Sequence, residues 1–104
     1  MQKVIKDGKV AILYSPGYGI GWSTYNDTKY RETLCMDADI INAVLKGNTT
    51  LAMDIAKQKC PGILIIGGED LTVHWLNEGT SFKVTECDGN ETVRTLPDFV
   101  WMLA

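Results

Sequence analysis

The sequence predicts an α+β fold, with a mainly antiparallel β-sheet and two short helices packed on one side of it. Three observations support this prediction. A hairpin pattern opens the chain and apolar and polar residues alternate in its C-terminal part, two stretches of helical periodicity lie between these parts, and the chain lacks the strand–helix–strand repeat that is typical of a parallel sheet. The expected order is a β-hairpin, a helix pair and a β-meander, in a single compact domain of residues 1–104.

The start of the chain is predicted to form the β-hairpin. Residues 4–6 and 9–14 flank Asp7-Gly8, a dipeptide that favours a tight turn because glycine tolerates positive φ. In the second arm the odd and the even positions are both apolar, which predicts a strand buried on two faces and central in its sheet. A further short strand is predicted at residues 33–36.

The middle of the chain is predicted to form the helix pair. Asp37 is placed to cap the first helix, whose apolar residues recur at helical spacing until Gly47. Thr49 or Thr50 is placed to cap the second helix, which ends before Pro61.

The remainder of the chain is expected to form strands and turns. Strands are predicted at residues 62–66, 71–76, 82–85, 91–95 and 99–103. Turns are predicted at residues 77–79 and at Asp88-Gly89, since both contain a glycine that can adopt positive φ.

The composition excludes some classes of ligand. Ten basic and thirteen acidic residues give a formal net charge of −3. A DNA or RNA polymer is not expected to bind, because such binding needs many cationic contacts, whereas one nucleotide needs few. No apolar segment is long enough to cross a bilayer and no signal region precedes the hairpin, so a cytoplasmic location without membrane contact is expected.

No catalytic residue, metal site or cofactor is predicted. The cysteines are odd in number and widely spaced: Cys35, Cys60 and Cys87. This spacing favours reduced thiols over a disulfide framework or a zinc site. His74 has no nucleophile motif beside it, and its strand position predicts exposure to solvent. The acidic pairs at residues 37 and 39 and at residues 69 and 70 are interpreted as capping and turn residues.

The candidate ligand site is a segment that we call the glycine loop, residues 15–22. Its glycines allow a ligand to approach the backbone, and amides in such a turn can bind an anion. The segment is not a dinucleotide fingerprint, because Trp22 occupies the third glycine position, and it is not a P-loop, because it has no lysine. In the alternative interpretation, its aromatic rings pack into the core and its glycines only permit the turns.

The predicted ligand-binding residues belong to this loop, to the polar segment after it and to one arginine: Tyr18, Gly19, Gly21, Trp22, Ser23, Asn26 and Arg31. In this hypothesis Tyr18 or Trp22 stacks on a base. Backbone amides near Gly19 and Gly21 hold a phosphate group, and Arg31 pairs with it.

Several blocks of the chain resemble small proteins encoded by phages and prophages. These blocks are residues 7–17, 21–24, 67–71, 78–80 and 86–89. The resemblance covers most of the chain and implies a setting, because compact acidic phage proteins often block host immunity. They do so by binding a defence protein or by sequestering its nucleotide messenger.

The predicted function is therefore that of a non-enzymatic phage-type binding protein, an anti-defence sponge for a small nucleotide messenger in the host cytoplasm. The alternative is a protein–protein inhibitor that covers a host defence component with its acidic surface. A hydrolase or transferase is the third hypothesis, and no visible nucleophile–base pair supports it. A homo-oligomer is compatible with the small size of the domain, which would gain core by association.

Overall fold

The computed structural model describes residues 1–17, 21–64, 70–95 and 102–104 of the chain. The strands in these ranges are β1 (Ile5–Lys6), β2 (Lys9–Tyr14), β3 (Thr72–Asn77), β4 (Ser81–Cys87), β5 (Asn90–Thr95) and β6 (Met102–Leu103). The helices are α1 (Arg31–Met36), α2 (Ala38–Leu45) and α3 (Thr49–Lys59), with a 3₁₀ turn at Thr28–Tyr30 before α1. The predicted α+β class is confirmed, and none of these helices has the length and apolarity needed to cross a membrane.

The described strands form two antiparallel sheets, where the sequence predicted one. Sheet A has the order β1-β2-β3 and sheet B has the order β5-β4-β6. The predicted hairpin joins β1 to β2 through Asp7 and Gly8, whose φ angles of 53° and 75° lie in the left-handed region. As predicted, β2 is the central strand of its sheet.

The two faces of β2 contact two separate cores, which explains why all of its inner residues are apolar. Ala11 and Leu13 belong to the first core, together with residues of α2 and α3. Val10 and Ile12 belong to the second core, where Phe82 of sheet B is fully buried. A strand covered on both faces has no position left for a polar side chain.

The predicted helix pair is observed as α2 and α3. Asp37 caps α2, since its Oδ2 accepts a hydrogen bond from the Ile40 amide at 3.2 Å. The cap of α3 is Asn48, whose Oδ1 accepts from the Leu51 amide at 3.0 Å, rather than either of the threonines that follow it. The backbone N–H groups of the first helical turn have no acceptor within the helix, and an asparagine side chain can accept from them as well as a threonine can.

One lysine ties the start of α2 to the end of α3. Lys59 Nζ lies 2.9 Å from Asp37 Oδ1 and 2.7 Å from Asp39 Oδ2. The hydrogen bonds that Lys59 donates to Asp39 and to Asp37 raise the pKa of Lys59, and the bond to Asp39 has the larger effect. Asp37 therefore has the capping role that the sequence predicts, Asp39 lies in the first turn of α2, and both are paired with Lys59.

The predicted strand at residues 33–36 is wrong, because this segment lies in α1. Leu34 packs into the first core, whereas Cys35 and Met36 pack into the second. A helix can bury three consecutive side chains against surfaces on two sides, whereas a strand would send alternate ones to opposite faces. The helix therefore wedges between the two cores.

Of the remaining strand predictions, the one at residues 62–66 is wrong at its described residues, and the others are met where the structure describes the residues. Residues 71–76, 82–85 and 91–95 match β3, β4 and β5 closely. Met102–Leu103 pairs with β4, while residues 96–101 lie outside the described ranges. Residues 62–64 form no strand, and residues 65–69 also lie outside these ranges.

Candidate anion-binding site

A buried carboxylate joins the two sides of the glycine loop. Glu91, at the start of β5, is 1% exposed. Its Oε1 accepts a hydrogen bond from the Ser15 amide at 2.9 Å. Its Oε2 accepts from the amide and the hydroxyl of Thr24, at 3.0 and 2.7 Å. The Glu91 amide also donates to the Ser15 carbonyl at 2.8 Å, so the contact is fixed through backbone and side chain.

The anion that contacts the described ends of the glycine loop is thus the Glu91 side chain of the protein itself, where the sequence predicted a phosphate group of a ligand. Gly21 is placed to let this carboxylate approach. A Cβ atom at Gly21 would overlap Thr24 Oγ1 and stand only 2.9 Å from Glu91 Oε2. The prediction that amides near Gly19 also hold an anion concerns a residue outside the described ranges, as does the prediction for Tyr18.

Trp22 is a core residue. Its side chain is 0% exposed, packs in the first core and donates a hydrogen bond from Nε1 to the Leu34 carbonyl at 2.9 Å. The ring therefore has no exposed face on which a base could stack. For Trp22 the structure matches the alternative interpretation of the glycine loop, in which the aromatic ring packs inward.

Asn26 has an internal role in this structure. Its Nδ2 donates to the carbonyls of Trp22, at 2.7 Å, and Leu64, at 3.1 Å, and its Oδ1 accepts from the Leu64 amide at 2.7 Å. The amide group thus uses both its donors and its acceptor to fasten two segments together. Tyr25 is 38% exposed, with its hydroxyl 3.3 Å from Glu86 Oε2.

The structure brings two predicted site residues, Ser23 and Arg31, to the wall of one cavity of about 590 Å³. The charged residues of its lining are Lys29, Arg31, Lys83 and Glu32, and the hydroxyl residues are Ser23, Thr28 and Thr33. Met1 and Val84 complete the described lining. The described lining therefore contains cationic side chains from the 3₁₀ turn, α1 and β4, although the whole chain carries a formal charge of −3.

Arg31 carries the least satisfied polar atom of this wall. It is the first residue of α1 and is half-buried, and its Nε is shielded from solvent with no hydrogen-bond partner among the described residues. A buried donor without an acceptor is costly, because it has lost water and gained nothing in exchange. Arg31 also lines the cavity, so the other N–H groups of its guanidinium are the candidate donors to a bound anion.

Ser23 supplies a hydroxyl group from the polar segment directly after the glycine loop. Its side chain is buried, and its Oγ accepts a hydrogen bond from Cys35 Sγ at 3.2 Å. Because the oxygen is the acceptor in this hydrogen bond, the O–H group of Ser23 stays available as a donor.

Two lysines and one glutamate of this region were missed by sequence reasoning: Lys29, Lys83 and Glu91. Lys29 lies in the 3₁₀ turn just before Arg31, and its proximity in sequence to that arginine was the available indication. Lys83 comes from β4, and Glu91 from β5 on the far side of the next turn. Neither residue stands in a local pattern that distinguishes it from an ordinary strand residue.

The cysteine beside the site is not a nucleophile. Burial raises the pKa of Cys35 to about 12, against an opposing effect of the hydrogen bond with Ser23. Its thiol therefore stays protonated at neutral pH. Within the part of the chain that the structure describes, no group of histidine, cysteine and acidic side chains is arranged to hold a metal ion.

We expect the cysteines to differ in reactivity towards a thiol reagent such as DTNB. At about pH 8, exposed Cys87 should react quickly and buried Cys35 only on unfolding.

Because the folded pKa of Cys35 is raised above its ordinary value of 9.0, the stability that it contributes is complete below that pH and is lost as the pH rises towards 12. Urea unfolding from about pH 8 to about pH 11 should show a smaller loss of stability for Cys35→Ala than for the wild type. An equal pH dependence of the free energy of unfolding in the two proteins would contradict the raised pKa of Cys35.

No protein-family model, curated protein or solved structure matches this chain. A functional assignment therefore depends on the residues of the cavity and on their geometry.

Proposed function

We propose that this protein binds a small phosphorylated ligand, with a nucleotide as the leading class, in the cavity beside α1, and that it does so without catalysis. The observation that carries the proposal is Arg31, a half-buried arginine that lines a cavity of about 590 Å³ together with Lys29. A phosphate oxygen is the acceptor that a guanidinium group binds best, because two parallel hydrogen bonds can form.

The charges around Arg31 support an anionic ligand. Lys29 and Lys83 line the same cavity from the 3₁₀ turn and from β4, so cations approach the space from two elements. A negatively charged ligand matches Lys29 and Arg31 better than a neutral ligand does.

The size and the neutral groups of the cavity support a ligand larger than one phosphate group. Small-molecule sites commonly enclose about 300–1,000 Å³, a range that includes this cavity. The hydroxyls of Ser23, Thr28 and Thr33 can donate to phosphate or sugar oxygens, and Glu32 can accept from a sugar hydroxyl. A nucleoside phosphate presents all of these partners.

Binding without a reaction is supported by the residues around the cavity. Its described lining contains neither histidine nor cysteine, and the nearby Cys35 thiol is held in its protonated form. Sequestration of a nucleotide messenger, in the anti-defence setting that the phage resemblance implies, is the biological role that fits such a binding protein.

The test is a thermal-shift screen against pyrophosphate, mononucleotides, cyclic di- and trinucleotides and cyclic ADP-ribose isomers. A ligand that binds only the folded state adds about 2.7 kcal/mol of stability at a hundred times its dissociation constant, and so raises the melting temperature. Arg31→Ala should weaken binding of the best ligand by roughly 30-fold or more, since a charge-assisted hydrogen bond to a phosphate is lost.

Lys57→Ala is the matched control for this screen. Lys57 is an exposed cation of α3 that does not line the cavity, so its removal changes the net charge as Arg31→Ala does. A melting temperature that no phosphate compound raises, or equal affinities for the two variants, would contradict the proposal.

The protein–protein inhibitor remains a second proposal, and one surface favours it. Tyr25 is partly exposed and lies against Glu86, and Asp88 follows in the turn between β4 and β5. An exposed tyrosine among acidic residues is suited to contact with a basic partner surface. Tyr25→Ala should then abolish partner binding without any effect on phosphate compounds.

A further inference from the structure

Glu91 is a buried carboxylate that touches the glycine loop and not the cavity, so the proposed ligand does not account for it. We propose that Glu91 is the positioning residue of the anion site: it acts as the internal anion of the glycine loop and so holds Ser23 at the cavity wall. This inference depends on the proposed function, because it gives Ser23 a contact with the ligand.

The first step is the geometry of the carboxylate. Glu91 accepts three hydrogen bonds, one from the Ser15 amide and two from Thr24, all between 2.7 and 3.0 Å. These donors lie on opposite sides of the glycine loop, so one side chain fixes the distance between them. A glutamine has one oxygen and one NH₂ group in place of the two oxygens, and its NH₂ group cannot accept from either side.

The second step leads from Thr24 to the cavity. The Thr24 amide belongs to the peptide group that joins it to Ser23, so the hydrogen bond to Glu91 places that peptide group. The Ser23 carbonyl accepts from the Asn26 amide at 3.3 Å, and the Ser23 hydroxyl accepts from Cys35 Sγ at 3.2 Å. Three contacts therefore fix the position of Ser23. The contact through Glu91 is the one that the isosteric substitution Glu91→Gln can weaken.

The third step separates a positioning role from packing alone. If Glu91 acts through Ser23, its substitution cannot harm ligand binding further once the Ser23 hydroxyl is gone. If Glu91 only stabilises the fold, the effects of the two substitutions on affinity are independent and add. A double-mutant cycle on ligand affinity therefore distinguishes the two roles.

The experiment is calorimetric titration of inorganic pyrophosphate into the wild type, Ser23→Ala, Glu91→Gln and the double variant. Each protein is first shown to be folded by its melting transition, and titrations are made well below the lowest melting temperature. We expect a loss of affinity of about tenfold for each single variant and about tenfold, rather than a hundredfold, for the double variant. The control cycle pairs Glu91→Gln with Lys29→Ala, whose side chain reaches the cavity from another element, and there the losses should add.

Chemical rescue provides a second, independent measurement. Glu91→Ala removes a CH₂–COO⁻ group, which has the size of acetate, and leaves the amides of Ser15 and Thr24 without their acceptor. Added sodium acetate should restore the amide chemical shifts of these two residues and the affinity for pyrophosphate, whereas sodium chloride at equal ionic strength should not.

Each result bears on the proposal. Wild-type affinity in Glu91→Gln, additive losses in the cycle with Ser23→Ala, or restoration by chloride as well as by acetate would overturn the positioning role and leave the proposed function standing. A wild-type protein that does not bind pyrophosphate would overturn both.

Discussion

Replacing Trp22 with alanine is expected to lower the free energy of unfolding by about 3–5 kcal/mol. The ring is 0% exposed in the first core, so its removal leaves a large cavity and an unpaired Leu34 carbonyl. A domain of this size is typically stable by about 5–15 kcal/mol, so the loss is a large part of the total. Urea unfolding followed by circular dichroism measures it.

Two other variants separate the contributions of the lost ring volume and of the lost hydrogen bond. Trp22→Phe keeps most of the ring volume but removes the Nε1 donor, and should cost about 1–3 kcal/mol. Trp75→Ala removes a half-buried ring at the edge of the same core and should cost less than Trp22→Ala. If Trp22→Ala unfolded like the wild type and lost only ligand binding, the ring would be a stacking surface after all.

The second large effect is expected for Gly21→Ala, at about 2–3 kcal/mol of lost stability. The added methyl group would overlap Thr24 Oγ1 and crowd Glu91 Oε2, so the carboxylate would have to leave its hydrogen bonds. The melting temperature should fall, and the affinity for phosphate compounds should fall with it.

Gly8→Ala is the control for this substitution. A Cβ atom at Gly8 would meet no atom within 4 Å, so the cost there comes from its φ of 75° alone. That strain is about 1–2 kcal/mol for a residue other than glycine and should leave ligand binding unchanged. Equal losses of affinity at the two glycines would show that Gly21 has no special relation to Glu91.

The parts of the fold that sequence reasoning predicted depend on local chemistry. The Asp7-Gly8 turn and the Asp37 cap each follow from side chains within a few residues of one another. The central position of β2 also follows locally, because a strand that is apolar on both faces must be covered on both faces.

The parts that it did not predict depend on contacts between distant residues. The segment at residues 33–36 has the composition of a strand, and it becomes a helix because two cores meet around it. The division into two sheets is likewise set by the pairing of β4 with β5 and β6 rather than with β2 or β3. Tertiary packing overrides local preference in both cases.

The candidate site was predicted in part for the same reason. Ser23 and Arg31 were identified because a polar segment and a scarce arginine are visible in the sequence. Glu91 lies 76 residues from Ser15 along the chain, so no local pattern could connect it with the glycine loop. Trp22 was predicted as a site residue but lies in the core. The sequence alone could not decide this, because a ring beside glycines is equally consistent with a stacking surface and with a core position.

The most direct test of the anion site is a titration of ¹⁵N-labelled protein with inorganic pyrophosphate, followed by the chemical shifts of the backbone amides. The site described here predicts saturable shifts that are largest at Ser23, at residues 28–33 and at Lys83, and their loss in Arg31→Ala but not in Lys57→Ala. Shifts confined to Tyr25 and the β4–β5 turn, or no saturable shifts at all, would contradict the assignment of the cavity as the ligand site.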